Sequence, residues 1–383
     1  MKKIFTVARV KNENDIIESF CRYNLIYCDG MLIRDNGSFD NTKEIIQNLI
    51  GEGLPIYWTN KGNKLKMAQE AIDKYGADLV VPLDADEFLY HTGGINPRET
   101  LEALREDIEY RIPWRTYIYE KEPDIELGFM PNNFTHYRNP VLEHLPKALA
   151  SKYLIKEKQV CFTMGAHSFA YPEEHKDHIL IESPPNLVYA HFPLRSNSQI
   201  MKKIIPNWIN KWATPFPFSA KHSFQLNLIY NAIKEKGEIS EDFLVRHSIE
   251  YSVDEEHMKK TMSVIKNAIT IYNPMDISFC SNQLVLHYTN YNWDNRVFLR
   301  TTLSEINKAV IRLSCENNDI ERQRDELMQN YLELKRQHNE LIQDYHVLTQ
   351  QNNILAEQIG EIYASKIWKA GNYIKEFIRL FFP

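Results

Sequence analysis

Glycine is scarce in this chain, with 13 in 383 residues. No G-x-G-x-x-G or G-x-x-x-x-G-K-[ST] stretch occurs, which excludes a backbone phosphate cradle of the dinucleotide or P-loop kind. Cysteine is sparse as well. Cys21, Cys28, Cys161, Cys280 and Cys315 are odd in number and scattered, with no C-x-x-C pair. That pattern argues against a disulfide framework or a structural zinc site and fits a reducing compartment. No apolar run reaches the roughly 20 residues that a membrane-spanning helix needs. The lysine-led start loses its apolar run at Arg9, too early for a secretory h-region, so the expectation is a chain neither exported by this route nor integral in a membrane. H-E-x-x-H and G-x-S-x-G are missing too. With 25% charged residues and a net charge of -6, neither disorder nor nucleic-acid binding is expected. What is present, 43% hydrophobic and 12% aromatic residues, suffices for a sizeable core in two or three units. A globular cytosolic enzyme is the class that remains.

Residues 3–90 alternate strand and helix patterns. Ile4–Val10 reads as a buried strand, followed by an apolar-periodic helix from Asp15 to Ile26. Met31–Ile33 is a short strand, and Asp40 or Thr42 is placed to cap a helix carrying Ile45, Ile46, Leu49 and Ile50, which stops at Gly51 and Gly53. Leu54–Trp58, Lys64–Tyr75 (closed by Gly76) and Leu79–Leu83 continue the series as strand, helix and strand. This order predicts an α/β fold, a mostly parallel sheet with helices on both faces, whose ligand crevice lies outside the C-terminal strand ends. Less regular strand pieces follow at Glu109–Tyr119, Ala148–Ile155 and Val160–Met164, then a mainly helical, aromatic-rich stretch over 201–302. Trp208, Trp212, Phe216 and Phe218 fall in that stretch, either as helix core or as stacking surfaces for sugars.

From residue 303 to 362 the apolar spacing becomes strictly heptad. One position holds Ile306, Leu313, Ile320, Leu327, Leu334, Leu341, Leu348, Leu355 and Ile362. The other mixes Leu303 and Val310 with Asn317, Arg324, Tyr331, His338, Tyr345, Asn352 and Ile359. Leucine at d with polar residues at a predicts a parallel homodimeric coiled coil, a rod roughly 90 Å long. Over 363–383, Ile367, Ala370, Ile374, Phe377, Ile378 and Phe381 share one helical face opposite Lys369, Lys375, Glu376 and Arg379. Such a basic, aromatic amphipathic helix suits an anionic membrane surface, or packing on protein.

The chemistry concentrates at two strand ends. Val80-Val81-Pro82-Leu83 runs into Asp84-Ala85-Asp86-Glu87-Phe88. Carboxylates placed there make a hard oxygen-donor site for Mg²⁺ or Mn²⁺ on a diphosphate. Arg34-Asp35-Asn36-Gly37-Ser38-Phe39-Asp40 ends the second strand, Met31–Ile33, and its Asn-Gly turn and helix cap also explain it structurally.

Together with Val7-Ala8-Arg9-Val10-Lys11-Asn12-Glu13, and in this order, these motifs resemble those of family 2 type bacterial glycosyltransferases, in the branch reading K-N-E, D-N-x-S-x-D and D-x-D-E-F. The resemblance covers about residues 3–200. It implies a GT-A, Rossmann-like fold over residues 1–200, with an acceptor-side helical extension over 201–302. It further implies transfer of a sugar from a nucleotide-sugar donor, a UDP-sugar, to a glycan or lipid-linked acceptor, with Mn²⁺ or Mg²⁺. By the same likeness Asp35 contacts the base, while Ala8, Val10, Asn12 and Lys64 bind the nucleotide. Asp84 meets the ribose or sugar, and Asp86 holds the metal. Tyr189-Ala190-His191-Phe192-Pro193-Leu194-Arg195-Ser196 resembles a further segment of the branch, in which His191 completes the metal shell and Arg195 or Lys202 neutralises the leaving diphosphate. Pro146-Lys147 and Gly165-Ala166-His167 are assigned to the acceptor or donor-sugar wall. The E-D pair that supplies the base in many members is missing between residues 100 and 200, leaving Glu143, His167, Glu174 and Asp177 as candidates.

The reading is therefore a metal-dependent glycosyltransferase acting on a cell-surface glycan or its lipid-linked precursor. It would be dimerised by its rod and held at the inner face of the cytoplasmic membrane by its terminal helix. Its rivals are a sugar nucleotidyltransferase, which would need a glycine-rich N-terminal loop, and a non-catalytic glycan-binding scaffold.

Overall fold

The computed structural model describes residues 1–123, 128–173, 179–212, 229, 231–232, 239–253, 286–289 and 295–381. Glu174, Asp177, Phe216 and Phe218 lie outside these. The chain divides into two compact units, Met1–Val310 and Ile311–Pro383.

The first unit opens as β1 (Ile4–Val10), α1 (Ile17–Asn24), β2 (Gly30–Asp35), α2 (Thr42–Gly51), β3 (Ile56–Trp58), α3 (Lys64–Tyr75) and β4 (Leu79–Leu83). It continues through β5 (Glu87–His91), α4 (Pro97–Ala103), β6 (Glu109–Ile112), β7 (Trp114–Thr116), β8 (Lys147–Ser151) and α5 (Lys152–Lys156). Next come β9 (Cys161–Phe162), β10 (Phe169–Ala170), β11 (Ile181–Glu182), β12 (Leu187–His191), α6 (Asn197–Trp212) and α7 (Glu241–Glu250). A seven-stranded sheet runs in the order β11-β6-β8-β4-β1-β2-β3, and only β8 runs against its neighbours. β5, β12 and β7 make a second sheet, and β9 pairs with β10 in a short ribbon.

Alternation along β1 explains the layering. Ile4, Ala8 and Val10 pack with α1 and α2, while Phe5 and Val7 pack with Met67, Ala68, Ala71 and Ile72 of α3. Both faces are covered, as a parallel sheet requires. Two glycines sit where another residue would be disfavoured. A Cβ on Gly30 would lie 2.5 Å from the Phe5 ring, and Gly76 ends α3 in the left-handed region at φ +71.

Three long-range ties close the unit. Asn24 donates from its amide to the Phe20 and Glu87 carbonyls and accepts from the Leu89 N–H at 3.0 Å, pairing the edge of β5 that β12 leaves open. Glu18, fully buried, accepts the backbone N–H groups of His287, Tyr288 and Thr289 at 2.7–2.8 Å. Lys11 pairs with Glu305 at 2.7 Å.

Two expectations need correction. The single strand expected at Glu109–Tyr119 is broken at Pro113 into β6 and β7, which join different sheets. The strand expected over Ala148–Ile155 stops at Ser151, whose hydroxyl accepts from the Leu154 N–H and starts α5.

The heptad stretch lies in one continuous helix, α8 (Asn295–Ala364), followed by α9 (Lys366–Phe381). In the second unit Ile320, Leu327, Leu334, Leu341, Leu348, Leu355 and Ile362 are all more than half exposed. No helix among the described residues is long and apolar enough to cross a membrane.

His247 of α7 is 3% exposed and stacked on Phe243 at 5.5 Å. Burial pushes its pKa down to about 4, so the fold holds it neutral. The stability this provides is complete above the unfolded value near 6.5 and drains away as pH falls toward 4. His247→Phe is expected to remove about 2.5 kcal/mol of the stability loss between pH 7.5 and 4.5, read as the difference between two urea titration series.

Candidate active site

The parallel strands end together, and their C-terminal loops line one cleft enclosing about 300 Å³. Its walls include Arg9, Val10, Lys11, Asn12, Glu13, Asn36, Asp84, Asp86, Trp114, His191, Lys202, Lys203 and Tyr251.

The two N-terminal motifs are stitched to one another. Asn12, at φ +56, donates its N–H to the Ser38 hydroxyl and accepts from the Phe39 N–H at 2.8 Å. The Glu13 N–H bonds the Thr42 hydroxyl, and the Asn14 N–H reaches Asp40. Asp35 accepts from the Ser38 hydroxyl at 2.6 Å and from its N–H, so its carboxylate holds the turn while Asn36 faces the cleft. Ala8 is buried inside β1 and Val10 and Asn12 line the cleft.

The carboxylates lie just past the end of β4, which stays paired with β1 through Leu83. β4 pairs with β8 only as far as Val80, and a proline two residues later offers no N–H to extend that ladder. The chain turns out at Asp84. Asp84 is gripped by Lys64 at 2.8 Å and by Lys147, which is fully buried and also bonds Glu87 at 2.8 Å. Burial alone would raise the Asp84 pKa, but the two ammonium groups outweigh it and hold the carboxyl well below its usual range. Glu87 has no exposed surface, accepts the Trp114 indole N–H and the Asp84 N–H at 2.8 Å each, and is pushed up by burial.

Asp86 points into the cleft with Lys203 at 3.1 Å, Arg195 at 3.8 Å and the His191 Nε2 at 4.0 Å. Burial works against its ionisation, but Lys203, His191 and Arg195 together outweigh it, lowering its pKa to about 2. Burial likewise lowers His191 to about 4, so its imidazole is neutral, stacked on Trp114 at 4.4 Å. Arg195 is fully buried and spends its guanidinium on Asp15 at 2.7 Å and Glu13 at 2.6 Å. It stands behind the cleft rather than lining it, and Lys202 and Lys203 bring the positive charge to the wall.

The base candidates stay apart from the cleft lining. Glu143 is buried against Arg138 and Thr116, and His167 bonds the Pro146 carbonyl at 2.9 Å with its ring edge against Trp114. Lys203, Trp114 and Tyr251 were not anticipated. Adjacent lysines in the first turns of α6, just after the His191–Ser196 segment, were the available signal for Lys203. Trp114 and Tyr251 carried none.

Among the described residues no group of three or more His, Cys, Asp or Glu side chains could hold a metal ion. Asp86 and His191 are a pair only. A hard divalent cation is commonly held by one or two protein ligands, with substrate phosphates and water completing its shell. An ionised carboxylate and a neutral imidazole are donors such a cation accepts, and the Lys203 ammonium now seated on Asp86 stands where the cation would.

No protein-family model matches the chain, and no curated protein matches it. Among solved structures, it is similar to glucosyl-3-phosphoglycerate synthase from Mycobacterium tuberculosis, crystallised with Mn²⁺, UDP-glucose and phosphoglyceric acid. There the identity is 16%, the coverage 50% of this chain and 72% of that one, and the TM-score 0.28. A mannosyltransferase from Pyrobaculum calidifontis, in complex with GDP-mannose and Mn²⁺, is 14% identical over 70% of this chain and 88% of that one, with a TM-score of 0.33. Likenesses this low leave the assignment of function to the cleft itself.

Lys147→Met is expected to cost about 3 kcal/mol of stability in a denaturant titration, because Glu87 is left buried without its counter-charge. An unchanged midpoint would mean that Glu87 does not carry charge in the fold.

Proposed function

We propose that the protein is a metal-dependent glycosyltransferase of GT-A type, moving a sugar from a nucleotide-sugar donor to a hydroxyl of a glycan or its lipid-linked precursor. The observation that carries this is the convergence of Asp84, Asp86 and His191 with Arg9, Lys11, Lys202 and Lys203 in one cleft at the strand ends. A pocket carrying both signs suits a ligand that is anionic at its diphosphate and hydroxyl-rich at its sugar.

The residues divide the work. Lys202 and Lys203 face the diphosphate and balance the charge that builds on it as the glycosidic bond breaks. Asp86 and His191 would hold Mn²⁺ or Mg²⁺, which would supply Lewis-acid neutralisation of the same leaving group. Asp84, fixed in place by Lys64 and Lys147, accepts hydrogen bonds from the ribose or the sugar. Trp114 and Tyr251 supply aromatic lining of the cleft against which an acceptor sugar would pack.

α8 pairs with a second copy through its heptad seam, giving a parallel dimer. α9 lies at an anionic membrane surface, with Tyr373 and Ile374 exposed on a helix that also presents Lys375 and Arg379. A cytoplasmic enzyme attached to the inner face of the membrane would meet a lipid-linked acceptor there.

Nucleotide sugars with Mn²⁺ are expected to raise the melting temperature of the full chain, as any ligand selective for the folded state does. Asp86→Ala should abolish that shift and lower sugar transfer by about 100- to 1,000-fold. No shift of the wild type with any nucleoside diphosphate or its sugar, with Mn²⁺ or Mg²⁺, would refute the enzymatic reading.

The seam is tested separately. Leu334→Lys combined with Leu341→Lys is expected to halve the mass measured by light scattering, since two lysines replace consecutive d-position leucines. A double variant that keeps its dimeric mass would place the dimer contact elsewhere.

A further inference from the structure

The glycosyltransferase reading leaves one buried group without a task. Glu143 is 5% exposed in its side chain, yet both of its oxygens are fully engaged. Arg138 donates to them from Nε at 3.0 Å and Nη2 at 2.6 Å, and Thr116 donates its N–H at 2.7 Å. Arg138, itself buried, is anchored on the carbonyls of Ile249 and Tyr251. A carboxylate clasped in this bidentate way is ionised and can only accept hydrogen bonds. It is also surrounded by donors, which leaves no lone pair aimed at the cleft.

The direction of the next bonds follows from this. The Thr116 hydroxyl lies 3.2 Å from Glu143 Oε2 and 3.4 Å from His191 Nδ1. It has one proton, and an acceptor-only carboxylate claims it. The hydroxyl oxygen can then only accept from the imidazole, so the proton of the neutral His191 ring sits on Nδ1. Nε2 is left with its lone pair, 4.0 Å from Asp86 Oδ1, at the cleft wall. Register supports the alignment, because Thr116 and His191 are paired residues at the ends of the parallel strands β7 and β12. Trp114, stacked on the ring at an interplanar angle of 27°, holds its plane.

We propose that Glu143 and Thr116 are positioning residues that fix the tautomer of His191, so that Nε2 presents a lone pair beside Asp86. This rests on the reading of Asp86 and His191 as cation ligands, and it gives Glu143 a supporting role in place of the acceptor's base. Outer partners of a ligating histidine commonly change metal affinity by about 10- to 100-fold when removed.

The test has one arm that needs neither substrate nor metal. Histidine-selective ¹⁵N labelling of the full chain, with His191→Gln to assign the signal, reads the tautomer at neutral pH. The wild type should show Nδ1 protonated and Nε2 bare. Thr116→Val, which keeps the shape and removes the hydroxyl, should shift His191 toward the other tautomer and weaken Mn²⁺ binding by about 10- to 100-fold in calorimetry. Thr116→Ser, which keeps the hydroxyl, should restore both. A wild-type ring protonated on Nε2 overturns the proposal, as does Thr116→Val with unchanged tautomer. Retained tautomer control in a protein that binds no nucleotide sugar would instead count against the glycosyltransferase reading alone.

Discussion

A sheet whose strand ends carry five acidic side chains in one small volume must find counter-charges inside the protein, because water cannot reach most of them. Glu13, Asp15 and Asp86 share Arg195 and Lys203, Asp84 and Glu87 share Lys147, and Asp84 also pairs with Lys64. Buried ion pairs of this kind seldom add net stability over an apolar replacement, since desolvation consumes the Coulombic gain. Their persistence here is better understood as positioning. Each cation fixes a carboxylate at a chosen place around the cleft, and the remaining structure supports the cations: β8 delivers Lys147, and α6 delivers Lys203.

Much of the α/β half was legible because its local signals agreed with its tertiary role. Ile4–Val10, Lys64–Tyr75 and Leu79–Leu83 match their observed elements end to end. In each case a hydrophobic period is bounded by a strong stop, such as Gly76 or the acidic turn at Asp84. The strand ends are also where polar clusters break apolar runs, so Asp84, Asp86 and the Asn36 loop could be placed from pattern, whereas the Asn12 loop was singled out only by the resemblance. The heptads of α8 were legible for the same reason, as their helix needs no distant partner to be continuous.

What could not be read depended on pairing across long separations. Glu109–Tyr119 has the alternation of one strand, and nothing local says that Pro113 hands its two halves to different sheets. Ser151 looks like any strand serine until its hydroxyl caps α5. The role of Arg195 was misplaced for a related reason: a lone arginine after a histidine motif suggests an anion contact, whereas Glu13 and Asp15, distant in sequence, claim it first. Glu143 stood out as a candidate by charge alone, and only Arg138 and Thr116 show that its oxygens are spent.

The ties that complete the first unit also bear on how it is assembled. Arg195 reaches back 180 residues to Asp15, and the Thr289 N–H reaches back 271 residues to Glu18. Contacts this remote must bear a large loop-closure entropy before they return any energy, and they slow folding. Asp84 and Glu87 are answered by Lys64 and Lys147 from α3 and β8, whereas Glu13, Asp15 and Asp86 find their counter-charges only in Arg195 and Lys203, far along the chain. The loop after β1 therefore depends for its charge balance on a segment some 180 residues away, while the loop after β4 is balanced mostly from nearer elements.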